Sequence, residues 1–197
     1  MQGKNSHEFS NLADARMQEA LFLIFERPCI RLRRLAEHCG IPRSSLQRKI
    51  AALEYVVVIP CGGLLIKGMV VDTALFSLLE RDSYYNILLA IKKPLSIERL
   101  CLITGREKAS LYGTLRRLAV AGVIVKEREG YKLNPELEVR YKEHLQNLPA
   151  LLGILDSILE KENIKHRIMS KREIFVECFG RKRILRPYRR LAELLEL

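Results

Sequence analysis

A segment of about 25 residues occurs twice in this chain, and the two copies start 65 positions apart, covering residues 35–59 and 100–125. The residues that match at this offset are mainly apolar side chains at helical spacing. They are Leu35 with Leu100, Gly40 with Gly105, Ser45 with Ser110, Leu46 with Leu111, Ile50 with Leu115, Leu53 with Leu118, and Ile59 with Ile124. Because buried positions recur when a folding unit is repeated, the pattern predicts two copies of one small fold.

Each copy begins with the same order of helix signals. An apolar helix ends before a proline, Pro28 or Pro94, because proline cannot continue a helix. A short helix follows, over residues 32–39 in the first copy and 97–103 in the second. The repeated glycine then ends it, as expected for the left-handed position after a helix.

A third helix and a β-hairpin complete each copy. The third helix carries the repeated apolar stripe with spacing i, i+4, i+7. It leads into β-branched residues, 56–59 and 123–125, and a glycine turn connects these to a second apolar strand, 64–66 and 131–133. Three helices and a hairpin, with a tight turn between the second and third helices, predict a winged helix-turn-helix in each copy.

The residues of both copies resemble known regulators. LAEHCGIPRSSLQRKIAALEYV (residues 35–56) resembles the helix-turn-helix of the IclR-type regulators of bacteria and archaea, and ITGREKASLYGTLRRLAVAGVIVKEREGYKLN (residues 103–134) looks like the winged helices of archaeal ArsR-like and MarR-like regulators. The resemblance covers about residues 14–134 and implies binding of double-stranded DNA and regulation of transcription. An IclR regulator has a ligand-binding domain where this chain has its second copy, so the resemblance implies no effector site.

We therefore expect an α+β fold that is mostly α, with small β-hairpin wings. The expected regions are a first repeat (residues 14–70), a second repeat (residues 80–134) and a C-terminal region (residues 135–197). In the C-terminal region, a helical pattern interrupted by Pro149 and Gly153 predicts a kinked helix or two helices. Its apolar residues are Leu137, Tyr141, Leu145, Leu148, Leu151, Leu152, Leu155, Ile158 and Leu159.

These apolar residues outnumber what one small domain buries, which favours a helix that forms a homodimer, with packing inside one chain as the alternative. Residues 167–179 alternate like a hairpin with a turn near residues 170–172. The last segment is expected to end in an amphipathic helix that contains Leu191, Leu194 and Leu195. We assign dimerisation or an accessory role to this region.

The charge of the chain favours a polyanionic partner. It has 34 Lys and Arg residues against 23 Asp and Glu residues, a formal net charge of +11. Residues 1–80 have a net charge of only +2, whereas residues 161–190 contain 11 basic and 3 acidic residues. The second repeat and this basic block are therefore candidates for sequence-independent attraction to a phosphate backbone.

Candidate DNA contacts lie on the third helices, because this helix enters the major groove in winged helices. In the first repeat the donors opposite the apolar stripe are Arg43, Ser44, Gln47, Arg48 and Lys49, and Lys67 after the hairpin is a candidate phosphate contact. In the second repeat the corresponding residues are Lys108, Ser110, Tyr112, Gly113, Arg116 and Arg117. In the basic block, Arg181, Lys182, Arg183, Arg186, Arg189 and Arg190 could bind phosphates, the acidic face of a partner, or only water. The alternative for all three sets is an ordinary solvated surface.

Three functions fit these patterns. A sequence-specific DNA-binding transcription regulator, acting as a homodimer, explains the repeat and the donor-rich helices. A plasmid or mobile-element replication initiator can use the same tandem units, and the sequence does not separate the two. A protein-interaction scaffold of the chromosome-segregation or complex-assembly type is the third candidate.

Motifs for other chemistry are absent from the sequence. None of the four histidines lies in an HExxH motif or at zinc spacing, and there is no phosphate-binding loop or catalytic triad signature, so we expect no enzyme activity, cofactor or metal. Five cysteines, Cys29, Cys39, Cys61, Cys101 and Cys178, form no CxxC pair and fit reduced thiols in the cytoplasm. Apolar stretches are too short for a membrane span, so no membrane association is expected.

Overall fold

The computed structural model describes residues 14–195, except for the side chains of residues 143 and 145. Within this range the fold is α+β, with ten helices and three small antiparallel sheets. The elements of the first repeat are α1 (Ala15–Glu26), β1 (Ile30–Arg31), α2 (Leu32–Cys39), α3 (Arg43–Ala51), β2 (Val56–Val58) and β3 (Gly63–Ile66). The strands form one sheet in the order β1-β3-β2, in which the two-residue strand β1 was not predicted from the sequence.

A separate helix, α4 (Thr73–Leu79), precedes the second repeat. The elements of the second repeat are α5 (Asp82–Ala90), α6 (Ile97–Thr104), α7 (Lys108–Val120), β4 (Ile124–Glu127) and β5 (Gly130–Leu133). The predicted left-handed glycines are confirmed, since Gly40 ends α2 with φ 61° and Gly105 ends α6 with φ 64°. The three helices and the hairpin therefore follow one another in the same order in both repeats.

Each hairpin is held against the segment that follows the first helix of its repeat. In the first repeat Ile30 lies opposite Leu64, and in the second Leu95 bridges to Tyr131. A Cβ on Gly63 would lie 2.8 Å from the Cys29 carbonyl oxygen, and a Cβ on Gly130 would lie 2.2 Å from the Leu95 carbonyl oxygen. Both positions require glycine because the two backbones approach too closely for a side chain.

The C-terminal region differs from the sequence prediction in one element. It contains α8 (Glu136–Gln146), α9 (Leu148–Lys161), β6 (Lys165–Ser170), β7 (Glu173–Cys178), β8 (Arg181–Leu185) and α10 (Arg189–Leu195). The predicted hairpin is present as β6 and β7, but β8 extends it to a three-stranded sheet in the order β6-β7-β8. Three of the six candidate phosphate contacts, Arg181, Lys182 and Arg183, therefore lie on a strand, in which Leu185 pairs with Ile174 and its side chain enters the core.

The predicted break in the C-terminal helical pattern falls at Asn147, between α8 and α9. Pro149 lies in the first turn of α9, where its missing N–H leaves no hydrogen bond unmade, and α9 continues through Gly153. The members of the predicted apolar stripe whose side chains the structure describes are buried within the single chain. Leu145, the remaining member of the predicted stripe, has a side chain outside the described residues. This stripe is therefore covered without a second copy of the chain.

Two sets of ion pairs join the C-terminal region to the rest of the fold. Arg183 donates to both carboxylate oxygens of Glu19 on α1, at 2.7 and 2.8 Å, and it also pairs with the buried Glu26. In the second set, three arginines surround two acidic residues at the junction of α4 and α5. Its members are Arg27, Arg34 and Arg190 with Glu80 and Asp82. These contacts connect the end of α1, α2 and α10, and the apolar core is continuous across them.

Among residues 14–195, no helix has both the length and the apolar character that crossing a bilayer requires.

Candidate nucleic-acid interface

The outer face of α3 consists of polar side chains that have no partner in the rest of the fold. Leu46 and Ile50 point into the core and fix the rotation of the helix. The opposite face is exposed to solvent and contains Arg43, Ser44, Gln47 and Arg48. Within the described part of the chain, none of these four side chains forms a hydrogen bond or an ion pair. They are therefore available to an external ligand without breaking an internal contact.

Lys49, also on α3, is paired within the chain. Its Nζ lies 3.1 Å from Asp14 Oδ2, and Asp14 also caps α1 by accepting from the Arg16 N–H. That backbone N–H and the Lys49 ammonium together lower the pKa of the Asp14 carboxyl. Arg16 in turn donates to the Gly40 carbonyl at the turn between α2 and α3. The ion pair of Lys49, a predicted DNA contact, thus connects α3 to the start of α1.

The hairpin of the first repeat lies next in the chain after α3. Lys67 follows β3, and its exposed side chain has no partner among the described residues, while its backbone N–H donates to the Tyr55 carbonyl at 2.9 Å. At the tip, the Cys61 thiol is exposed, and its Sγ lies 3.3 Å from Ser77 Oγ. Burial opposes ionisation of Cys61, but hydrogen bonds to Ser77 and to the Gly63 backbone together outweigh it and lower the pKa of the thiol. The hairpin therefore offers one free cation and one ionisable thiol.

The predicted donors of the second repeat are mostly engaged. On α7, Lys108 Nζ lies 2.7 Å from Glu98 Oε1, and Ser110 Oγ accepts from Arg106 at 2.9 Å. Arg117 donates to the Tyr84 hydroxyl at 3.0 Å. Burial opposes ionisation of that phenol, but the nearby guanidinium groups outweigh it and lower its pKa.

Tyr112 and Arg116 remain exposed on α7 with no partner in the described range. Gly113 lies between the predicted donors, and a Cβ there would meet nothing within 4 Å. The fold itself therefore does not require glycine at this position.

Large apolar side chains are also exposed in the second repeat. Leu102 and Ile103 at the end of α6 are 84% and 60% exposed, and Val120 at the end of α7 is 84% exposed. No local signal in the sequence marks these residues as exposed, because the apolar residues of α6 continue into Leu102 and Ile103 without a change in residue type. Exposed apolar side chains of this size are typical of contact surfaces when they are contiguous.

Four of the six predicted phosphate contacts in the basic block are paired within the chain. Arg183 pairs with Glu19 and Glu26, and Arg186 lies 2.7 Å from Glu173. Arg189 lies 2.7 Å from Glu193, and Arg190 pairs with Asp82 and stacks on the Tyr85 ring. Arg181 and Lys182 begin β8, directly after the turn that connects it to β7; both are exposed and have no partner in the described residues.

Arg181 and Lys182 line a cleft of about 840 Å³ between this turn and α1–α2. Arg16 and His38 lie on the opposite side of the cleft, and Phe179, at the turn, is also exposed to it. The sequence places these residues more than 130 positions apart, so no local pattern could have brought them together.

Comparison with family models, with curated proteins and with solved structures gives no significant match to this chain.

Proposed function

We propose that this chain is a sequence-specific double-stranded DNA-binding protein that regulates transcription, and that each repeat is a winged helix-turn-helix. The order of three helices and a hairpin in both repeats, with a left-handed glycine before each third helix, supports the fold assignment. The observation that carries the function is the outer face of α3. Four exposed donors without internal partners, opposite a buried stripe, are what a helix needs to contact a major groove.

In this proposal the residues of α3 have distinct roles. Arg43 and Arg48 donate to guanine edges, Gln47 pairs with adenine, and Ser44 donates to a phosphate. Lys67 contacts the phosphate backbone next to the hairpin, because its ammonium is exposed and free. The other cations of the molecule contribute attraction to DNA that does not depend on base sequence.

We further propose that the chain binds as a homodimer, since paired half-sites double the number of base contacts. The two α3 helices of such a dimer would lie roughly 34 Å apart, or a multiple of that distance, to enter successive major grooves. The buried stripe of α8 and α9 is not the dimer surface. Light scattering of the chain with and without DNA measures the stoichiometry.

The test is a fluorescence anisotropy titration of the full chain with a pool of genomic duplex fragments, at about 50 and about 200 mM salt. We expect binding at the lower concentration and a steep loss of affinity at the higher one. Absence of binding at both concentrations refutes the proposal.

Single variants then separate the two kinds of contact. Gln47→Ala and Arg48→Ala should relax the preference for one sequence, whereas Lys67→Ala should weaken all sequences alike and reduce the salt slope by about 1. If all three variants lose the same amount of affinity for every DNA sequence, direct base reading by α3 is contradicted.

A second candidate function is a protein-interaction scaffold, which the exposed Leu102, Ile103 and Val120 of the second repeat favour. A stable complex with a partner protein, formed by a chain that has no affinity for duplex DNA, would support this candidate over the first. A functional replication origin with repeated sites, bound by this chain, would instead support the initiator.

A further inference from the structure

Three metal-ligating side chains meet where α9 ends and β6 begins. Asp156 and Glu160 lie one turn apart on α9, and such i, i+4 residues share a face of a helix. His166, the second residue of β6, brings its ring against them, and the donor atoms of the three side chains lie within 4.8 Å of one another. The turn that places them is built by Asn163, whose φ is 54°, and by the Ile164 N–H, which donates to the Leu159 carbonyl at 2.8 Å.

The orientation of the His166 ring is fixed from behind. Its Nδ1 lies 2.7 Å from the Ile164 carbonyl oxygen, which can only accept, so Nδ1 carries a hydrogen. The other nitrogen, Nε2, lies 2.9 Å from Asp156 Oδ1. In a neutral ring Nε2 is an acceptor, and it then faces the oxygen of a carboxylate, which is also an acceptor. The two atoms can lie this close only with a hydrogen or a metal ion between them.

A histidine that donates one ring N–H to a backbone carbonyl and directs its other nitrogen at carboxylates has the orientation found in protein metal sites. From this geometry we propose that His166, Asp156 and Glu160 bind a divalent transition-metal ion such as Zn²⁺. Imidazole together with carboxylate oxygens suits Zn²⁺, whereas Ca²⁺ and Mg²⁺ take oxygen ligands alone.

The distances fit this assignment. Zinc ligands lie about 2.0–2.2 Å from the ion, so neighbouring ligand atoms are roughly 3–3.5 Å apart. The Nε2 and Oδ1 atoms, 2.9 Å apart, are close to this separation. Glu160 is exposed, and rotation of its side chain closes the remaining gap. Three protein ligands leave at least one coordination position for water.

The bound ion fastens β6 to α9 and so stabilises the C-terminal sheet. The site is independent of the proposed DNA binding, because none of its ligands belongs to α3, α7 or the hairpins of the repeats. Metal affinity can therefore be measured, and can fail, without reference to DNA.

The first experiment is calorimetric titration of the full chain with Zn²⁺, after a chelator has removed bound metal and under reducing conditions. We expect one ion per chain and a rise in melting temperature of about 5–10 °C at a metal concentration a hundred times the dissociation constant.

The five cysteines are an alternative source of ligands, so a second experiment uses Co²⁺ as a spectroscopic probe. Co²⁺ bound to nitrogen and oxygen gives visible d–d bands but no strong thiolate charge-transfer band in the near ultraviolet. A strong thiolate band, or no visible bands at all, would overturn the assignment.

Variants locate the ion. Loss of a residue that only supports a metal ligand lowers affinity roughly 10- to 100-fold. His166→Ala and Asp156→Asn should weaken Zn²⁺ binding by more than this. Glu160→Gln should have a smaller effect than these two variants, because Glu160 is exposed. Glu177→Gln is the matched control, because this carboxylate lies on the neighbouring strand β7 and pairs with Lys165. If folded Asp156→Asn and Glu160→Gln both bind Zn²⁺ as tightly as this control, the proposed ligands are wrong.

Discussion

The two repeats have equivalent cores and different surfaces. Leu46 in the first repeat and Leu111 in the second occupy matching positions, and both are fully buried. On the outside, α3 has four polar side chains without partners, whereas Lys108, Ser110 and Arg117 of α7 contact neighbouring residues. The second repeat also exposes Leu102, Ile103 and Val120. Packing constrains which residues can occupy the core of a repeated unit. The surface residues are not constrained in this way and can differ between the two copies.

The largest expected effect tests the equivalence of the cores. Leu46→Ala and Leu111→Ala should each lower the free energy of unfolding by about 2–5 kcal/mol, because each leaves a cavity in a fully packed site. Urea denaturation of the full chain measures both. A cost below about 1 kcal/mol for one of them would show that the repeats are not packed alike.

The next effect tests the difference between the surfaces. The double variant Arg43→Ala/Arg48→Ala should weaken DNA binding about 100-fold or more, because each arginine contributes roughly 1–3 kcal/mol when it contacts a base. The matched variant Lys108→Ala/Arg116→Ala removes the same charge from the second repeat. This variant should lower DNA affinity less than about tenfold, because Glu98 already neutralises Lys108. Anisotropy titrations at one salt concentration compare the two, and a reversed order would assign DNA reading to α7.

Gly113 provides a smaller test of the second repeat. Gly113→Ala should raise the free energy of unfolding by about 0.5–1 kcal/mol, since alanine favours the helix and its Cβ meets open space. DNA affinity should not change if α3 is the reading helix. A stabilised variant that binds DNA more weakly would indicate close approach of the α7 backbone to DNA.

The smallest expected change in stability concerns the exposed apolar side chains. Leu102→Ser/Ile103→Ser should alter the free energy of unfolding by no more than about 0.5 kcal/mol, because neither residue packs in the core. Leu100→Ala, at a fully buried position of the same helix, is the control and should cost about 2–5 kcal/mol. If the second repeat is a contact surface, the double serine variant should reduce self-association in sedimentation experiments while DNA binding persists.

The elements of both repeats could be predicted because their signals are local. The interval between Leu46, Ile50 and Leu53 fixes the buried face of α3, and this same interval identifies the exposed donors opposite. Gly40 and Gly105 mark the ends of α2 and α6, because the turn after each helix needs a positive φ, which glycine adopts readily. The sequence could not show which donors are free, because a partner such as Glu98 for Lys108 depends on how two helices pack.

The strand β8 could not be predicted for a related reason. RKRIL is equally compatible with a basic helix, and it becomes a strand because β7 offers an edge on which Leu185 and Arg183 pair with Ile174 and Val176. Pairing with acidic residues on α1 then removes Arg183 from the set of free cations. The metal-site candidate was missed because His166 follows Asp156 and Glu160 by ten and six positions, and only the turn at Asn163 folds it back onto them.

The pairing of Glu26 with Arg183 has a consequence for the order of events during synthesis. Glu26 is 2% exposed, and Arg183 is made 157 residues later. At typical elongation rates the ribosome needs roughly 10–30 s to make that length of chain. During this interval the Glu26 carboxylate lacks the guanidinium that pairs with it in the finished fold, and α1 lacks the strand β8 that packs against it. The contacts of the first repeat are thus completed only after β8 has been made. In a nascent chain stalled before β8, we expect α1 to be cleaved readily by proteases.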